Sequence, residues 1–447
     1  MLATLLLASA LAAATDRPDL VLILADDLGY GDVGCYHLAN PLWPDAPPPT
    51  SVTPHIDALA ARGVRFLDFH AQPVCSPTRA ALMTGRYPQR AGIDGVIFAD
   101  PAENRHHGLS PDEWTLGDAL SAAGYETAAF GKWHLGYEEP FHPMNNGFDW
   151  FAGYVSGNID YVAHLDRMGT PDWFQGRVLR DEIGYSTTLI TDHAVRWIAA
   201  AADRPRLTYI AHECPHDPIQ APGDPPVRRS GHVGNLQSPK GRLRDATRRA
   251  MIVAMDDGIG RVVAAVEAGG RPTVVVFASD NGAVAFGDNG PWRGRKGQVY
   301  EGGQRVPLIV AGFHLAEPIG QGNAATLAMV ADLMPTLCEL AGCGKQSRDG
   351  KPFDGVSLVP TLRDPAAAGL PRRIFQAFRG WAFVRDGSLK LVRDPKGRDE
   401  LFDLTADPKE STPIDHPRQA ELADALTRWQ AGVARGATVQ PSESSLR

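Results

Sequence analysis

Two acidic pairs and a set of dispersed basic residues are where this chain could do chemistry. Asp26 and Asp27 close the apolar run "DLVLILADD", and Asp280 and Asn281 close "RPTVVVFASDN". Read singly, each pair is an ordinary polar turn. Brought together, three carboxylates and an amide oxygen repel one another unless a hard cation lies between them, and calcium, ahead of magnesium, suits an all-oxygen set. The segment "HAQPVCSPTRAALMTGRYPQR" (residues 70–90) contributes Cys75. Pro77 suits a first helical position, Ala80 to Met83 continue the helix, and Gly85 ends it. Cys75 then sits at the positive end of a short helix with Arg79 one turn along, a place to hold an anion and activate a sulfur. "FGKWHLG" sets Lys132 and His134 two apart, on one side of an extended segment. "CPHDP" confines His216 between prolines, and "WRGRKGQVYEGG" places Lys296 among glycines. Arg79, Lys132 and Lys296 facing a divalent ion would make a pocket for a tetrahedral oxyanion ester, clamped as its alkoxide leaves.

The elements that must carry these residues alternate. The apolar run of Asp19–Asp32, stopping at paired acids and glycines, reads as a buried strand ending in a loop; "RLTYIAHECPHDP" and "RPTVVVFASDNG" read as apolar strands whose carboxyl ends deliver His, Asp or Asn, and "RVPLIVAG" as another, with a further strand over 64–70. Helical spacing marks 54–62, 240–268, 326–341 and 417–435. Alternation of this kind means an α/β fold with a mostly parallel central sheet and helices on both faces. In such sheets ligands bind beyond the carboxyl ends of the strands, where the chemically suggestive residues fall. After residue 365 the texture changes: "AFVRDGSLKLVRDPKGRDELFDL" reads as short antiparallel strands with Asp-Gly and Lys-Gly turns. The expected organisation is a signal peptide over 1–14, a catalytic domain over 15–365, a smaller α+β domain with an antiparallel sheet over 366–436, and a disordered tail over 437–447.

Composition narrows the class. The 447 residues carry a formal net charge of −8, are 43% hydrophobic and 21% charged, and show no basic face of the kind nucleic acid requires. The cluster Arg242–Arg249 reads as a solvated helix face. The apolar stretch Leu2–Ala14 is too short to span a bilayer and points to export to the periplasm or beyond the cell. Of five cysteines, Cys35 and Cys214 read as small buried residues, and Cys338 and Cys343 could pair across a helix end.

"CSPTRAALMTG" resembles the first signature of the type I sulfatases, and "GKWHLG" resembles their second. "ADDLGYGD", "PHDP", "SDNG" and "RGRKGQVYEGGQRVP" are similar to the remaining blocks, in the same order. The resemblance implies an alkaline phosphatase-like fold and a sulfuric ester hydrolase. It implies that a maturation enzyme oxidises Cys75 to formylglycine, whose hydrated aldehyde attacks sulfur and later releases sulfate by breaking a carbon–oxygen bond. It assigns Asp26, Asp27, Asp280, Asn281 and position 75 to the calcium ion. Arg79 and Lys132 would hold the formylglycine, His134 would be the base, and His216 and Lys296 would bind sulfate oxygens, either one protonating the leaving oxygen. The segment Gly153–Arg167 resembles the part that covers the leaving group in sugar-directed members, making Ser156, Asp160 and His164 substrate-binding candidates. A sulfated galactose- or N-acetylgalactosamine-type glycan is the expected substrate, with aryl sulfates as artificial ones. A phosphonate or phosphate diester hydrolase of the same superfamily is the alternative, since a diester also carries one negative charge. A thiol enzyme using Cys75 itself lacks a third group to orient His134.

Overall fold

Apolar residues alternate faces along the first strand: Leu20, Leu22 and Leu24 enter one core, and Val21, Ile23 and Ala25 another. A strand buried on both sides needs layers above and below it, and the molecule supplies them. The structure, a computed structural model, describes residues 17–37, 40–49, 53–343, 350–369 and 371–435. The expected signal peptide and C-terminal tail lie outside the described residues. No helix among the described residues is long and apolar enough to cross a membrane.

The strands are β1 (Asp19–Ala25), β2 (Val64–Phe66), β3 (Phe69–His70), β4 (Glu126–Lys132), β5 (Trp150–Tyr154), β6 (Phe174–Gln175), β7 (Val178–Leu179), β8 (Arg206–Ala211), β9 (Thr273–Ser279), β10 (Leu308–Phe313), β11 (Gly322–Ala324) and β12 (Ala328–Met329). Ten of them form one sheet in the order β11-β2-β10-β9-β1-β8-β4-β5-β6-β7. The central five, β9, β1, β8, β4 and β5, run parallel, so their carboxyl ends share one edge. β10 is antiparallel to β9 and to β2. Helices Pro54–Arg62, Ser186–Ala199 and Gly241–Gly269 cover one face, through residues such as Leu59, Ile190 and Met255. Helices Cys75–Thr84, Leu116–Ala122 and Leu333–Leu340 cover the other, through Leu82, Leu120 and Leu337. The expected α/β sheet, mostly parallel with helices on both sides, is what forms.

A separate antiparallel sheet follows: β13 (Arg373–Phe378), β14 (Trp381–Asp386), β15 (Leu389–Arg393) and β16 (Asp399–Asp403). The Asp-Gly and Lys-Gly turns join its strands, with Gly387 at φ 61° and Gly397 at φ 79°. Helix Gln419–Arg435 packs Leu422 and Leu426 on Ala382, Val384, Leu391 and Leu401.

Three boundaries differ from expectation. The strand over 64–70 is broken, because Asp68 between its halves turns its carboxylate to Arg305 and Arg385. The helix over 326–341 begins only at Leu333, since Ala328 and Met329 pair with β3. The helix after residue 74 starts at Cys75 itself, two residues before Pro77. All five cysteines carry free thiols, Cys338 and Cys343 included, and Cys35 is only half-buried.

Candidate active site

The parallel strand ends gather the acids. Asp280 N–H donates to the carbonyl of Ala25 (3.0 Å), which ties the tip of β9 to the tip of β1. Asp27 takes a left-handed backbone, φ 60°, and its N–H donates to Asp280 Oδ1 at 3.2 Å. Asn281 Nδ2 donates to Asp27 Oδ1 at 2.7 Å. Thr78, on the Cys75–Thr84 helix, donates its hydroxyl to the Asp280 carbonyl and docks that helix on the same edge.

Basic residues close around this acidic floor. Arg79 is fully buried; Nη2 donates to Asp26 Oδ2 (3.0 Å) and Asp280 Oδ2 (3.2 Å), and Nη1 to the Lys132 carbonyl (2.9 Å) and the Tyr209 hydroxyl (3.3 Å). Lys132, the last residue of β4, pairs with Asp26. Lys296 Nζ lies 2.6 Å from Asp27 Oδ1 and 3.3 Å from Cys75 Sγ. His216 Nε2 is 3.7 Å from Asp27 Oδ2, and its Nδ1 is 2.7 Å from the Asp217 carbonyl. The loop around it carries cis peptide bonds at Cys214-Pro215 and Asp217-Pro218.

Cys75 Sγ sits 3.7 Å from Asp26 Oδ1. Burial, reinforced by the Asp26 charge, pushes its thiol up to about 12 against the opposing pull of Lys132 and Lys296. Here the expectation of an activated sulfur fails: removal from water outweighs the helix end.

His134 Nε2 is 2.8 Å from the Ile97 carbonyl, which can only accept, so Nε2 carries the hydrogen. Nδ1 then holds a lone pair, buried and without a hydrogen-bond partner. Burial, then Lys132 and Arg79, holds the imidazole well below its usual range, so it stays neutral.

Three carboxylates here face three cations, Arg79, Lys132 and Lys296. Burial, then the nearby Asp26 charge, raises the Asp280 carboxyl to about 7. Asn281 Oδ1 is buried without a partner. Ligand atoms of Asp26, Asp27, Cys75 and His216 lie within 4.8 Å of one another. An orphaned amide oxygen beside clustered carboxylates fits a hard divalent cation.

A cleft of about 410 Å3 opens onto Cys75, His134, His216 and Lys296. The three substrate-binding candidates do not line it. Asp160 is fully buried and spends its carboxylate on the backbone N–H groups of Val162, Ala163, Val227 and Arg228. His164 stacks on Trp173 with ring centroids 4.6 Å apart. Ser156 donates its hydroxyl to the Asn158 carbonyl. These residues order the loop, and its neighbours Gly157 and Asn158 present its surface to the cleft. Sequence reading also missed Tyr209, hidden inside the apolar β8, and Arg379, which arrives from the second sheet.

The sulfatase family model matches residues 18–343. Arylsulfatase A of Homo sapiens is 32% identical over 448 residues, covering 91% of this chain and 80% of that protein. N-acetylgalactosamine-6-sulfatase of Sus scrofa is 33% identical over 379 residues, covering 78% of this chain and 66% of that one. A crystal structure of Ps i-CgsB in complex with k-i-k-neocarrahexaose superposes with a TM-score of 0.78 at 27% identity, covering 94% of both chains.

Proposed function

The chain belongs to the type I sulfatase family and is a sulfuric ester hydrolase, and from that premise we propose that it removes O-sulfate from a galactose- or N-acetylgalactosamine-type glycan. The name of the N-acetylgalactosamine-6-sulfatase relative and the oligosaccharide bound to the structural neighbour support this substrate class. The observation that carries the reading is position 75 on the floor of the cleft, between the cation Lys296 and the carboxylate Asp26.

In this reading a calcium ion at Asp26, Asp27, Asp280 and Asn281 supplies fixed positive charge, and formylglycine at position 75 supplies a hydrated aldehyde oxygen as nucleophile. Three cations already offset three carboxylates, so a divalent ion leaves the site net positive, as a monoanionic sulfate ester requires. Arg79 grips Asp26 and Asp280 and keeps them aimed at the strand-end cluster. Lys132 holds Asp26 from the other side. Lys296 and His216 line the cleft and take the sulfate oxygens, and one of them protonates the departing alcohol. His134 accepts a proton at Nδ1, its free lone pair oriented by the bond from Nε2 to Ile97. The apolar Leu2–Ala14 stretch supports export, and conversion of Cys75 requires a maturation enzyme as partner.

The test compares kcat/KM across aryl sulfates, defined sulfated saccharides and aryl phosphate diesters, using protein made in a host that forms formylglycine. Sulfate esters are expected to win; diester preference would reverse the assignment. Peptide mass analysis of residues 70–86 is expected to find the aldehyde, and an unmodified thiol in active enzyme overturns the nucleophile.

A further inference from the structure

Among the cleft residues with no part in the mechanism above are two arginines, Arg167 and Arg379, contributed by different parts of the fold. Arg379 shares with Gly380 the two-residue turn between β13 and β14, where Phe378 pairs with Trp381. Its backbone is left-handed, φ 50°, and its guanidinium carbon lies 5.3 Å from the centre of its own Phe378 ring. Arg167 lies on a turn fixed by Asp166, whose Oδ1 accepts from the N–H of Met168 (2.8 Å) and of Thr170 (2.9 Å). Gly234 N–H donates to the Arg167 carbonyl at 2.7 Å. Both side chains therefore spring from tight, anchored turns.

Several buried arginines of this protein grip carboxylates, as Arg86 holds Glu113, Arg248 holds Asp32 and Arg385 holds Asp68, whereas Arg167 and Arg379 are exposed side chains at the cleft. Among the described residues, no carboxylate lies within 4.0 Å of Arg167 or Arg379. Two acids, Asp100 and Glu103, also line the cleft, so it is not uniformly positive. A second anion gains only where it meets a guanidinium, which makes the requirement one of position. Guanidinium is the group suited to planar, two-pronged recognition of sulfate or carboxylate.

We propose that Arg167 and Arg379 form a second anion subsite, so that the preferred substrate carries another anionic group, sulfate or carboxylate, beyond the ester being cleaved. This rests on the sulfatase reading. Hydrolysis itself is unchanged by it: the second group is held and stays on the sugar.

The experiment measures kcat/KM for a monosulfated disaccharide, the same disaccharide with a second sulfate on the neighbouring sugar, and one with a uronate there. The wild-type enzyme is expected to favour at least one doubly charged substrate by about tenfold at low salt, the factor shrinking as ionic strength rises. Which one it favours identifies the second group. Arg167→Gln and Arg379→Gln are each expected to lower that preference ratio through KM, and Arg379→Lys to restore it in part. A wild-type ratio near one, or a ratio unmoved in both glutamine variants, overturns the proposal. If the wild-type enzyme turns over 4-nitrophenyl sulfate while the ratio stays near one, the subsite alone fails. If no sulfate ester is turned over, the sulfatase reading fails and takes the subsite with it.

Discussion

At position 75 a cysteine is the encoded residue, yet its surroundings suppress the thiolate, and the chemistry expected there needs an oxygen. Cys75→Ala is expected to abolish turnover while leaving the fold intact, since one buried sulfur is lost from a helix start; assay with 4-nitrophenyl sulfate and circular dichroism check both halves. Asp280→Ala removes a carboxylate bonded to Arg79 and Asp27. Its expected effect is loss of bound calcium, read by elemental analysis, with activity falling by orders of magnitude. A different buried residue contributes to the response to acid. His212 is fully buried with neither ring nitrogen partnered, and burial pulls it down to about 4. The unfolded chain binds this proton near pH 6.5 and the folded chain only near pH 4, so the unfolded state holds more protons between those values. Stability contributed by neutral His212 is therefore complete above about pH 6.5 and declines as pH falls toward 4. The melting temperature of His212→Leu relative to wild type is expected to rise as pH falls across that window, because the variant has no such proton to bind.

Elements position the site by close approach as much as by hydrogen bonding. Gly131 precedes Lys132 in β4 with φ 94°, and a Cβ added there would stand 2.1 Å from the Ala211 carbonyl oxygen of β8. Only glycine lets these two parallel strands meet in register with Lys132 directed at Asp26. Gly131→Ala is expected to lower the unfolding free energy measured by urea denaturation by more than about 1 kcal/mol and to reduce kcat, because the strand must shift to admit the methyl group. Much of this scale was legible beforehand. Helix Pro54–Arg62 matches its spacing residue for residue, and the acids fall where the strands end. The broken strand at Asp68 was not legible, since the partners of that carboxylate lie more than two hundred residues away.

Across the whole molecule, the second sheet is joined to the catalytic part by buried charge. Glu301 meets His70 (3.1 Å), Arg305 (3.1 Å), Arg385 (3.3 Å) and Lys390 (2.8 Å), and Lys390 also meets Glu410 (2.8 Å). Asp68, His70 and Glu301 come close enough to suggest a metal site, yet Arg305, Arg385 and Lys390 already balance their charge. Glu301 lies five residues after Lys296 and His70 five before Cys75, so the tie secures both approaches to the site. Lys390→Met leaves Glu301 and Glu410 buried without a shared cation; the expected cost is about 3–5 kcal/mol, measured by chemical denaturation.

The alternation of strands and helices, the acids at strand tips and the basic residues beyond them were determined by the sequence itself, because period, turn chemistry and helix ends act over a few neighbouring residues. Tertiary structure alone decided that Arg79 spans Asp26 and Asp280, that the Cys75 thiol stays protonated, that Asp160 and His164 serve their own loop, and that Arg379 reaches the cleft from another sheet. Each of these depends on desolvation and charge acting through space between residues far apart in the chain, and no local pattern records that.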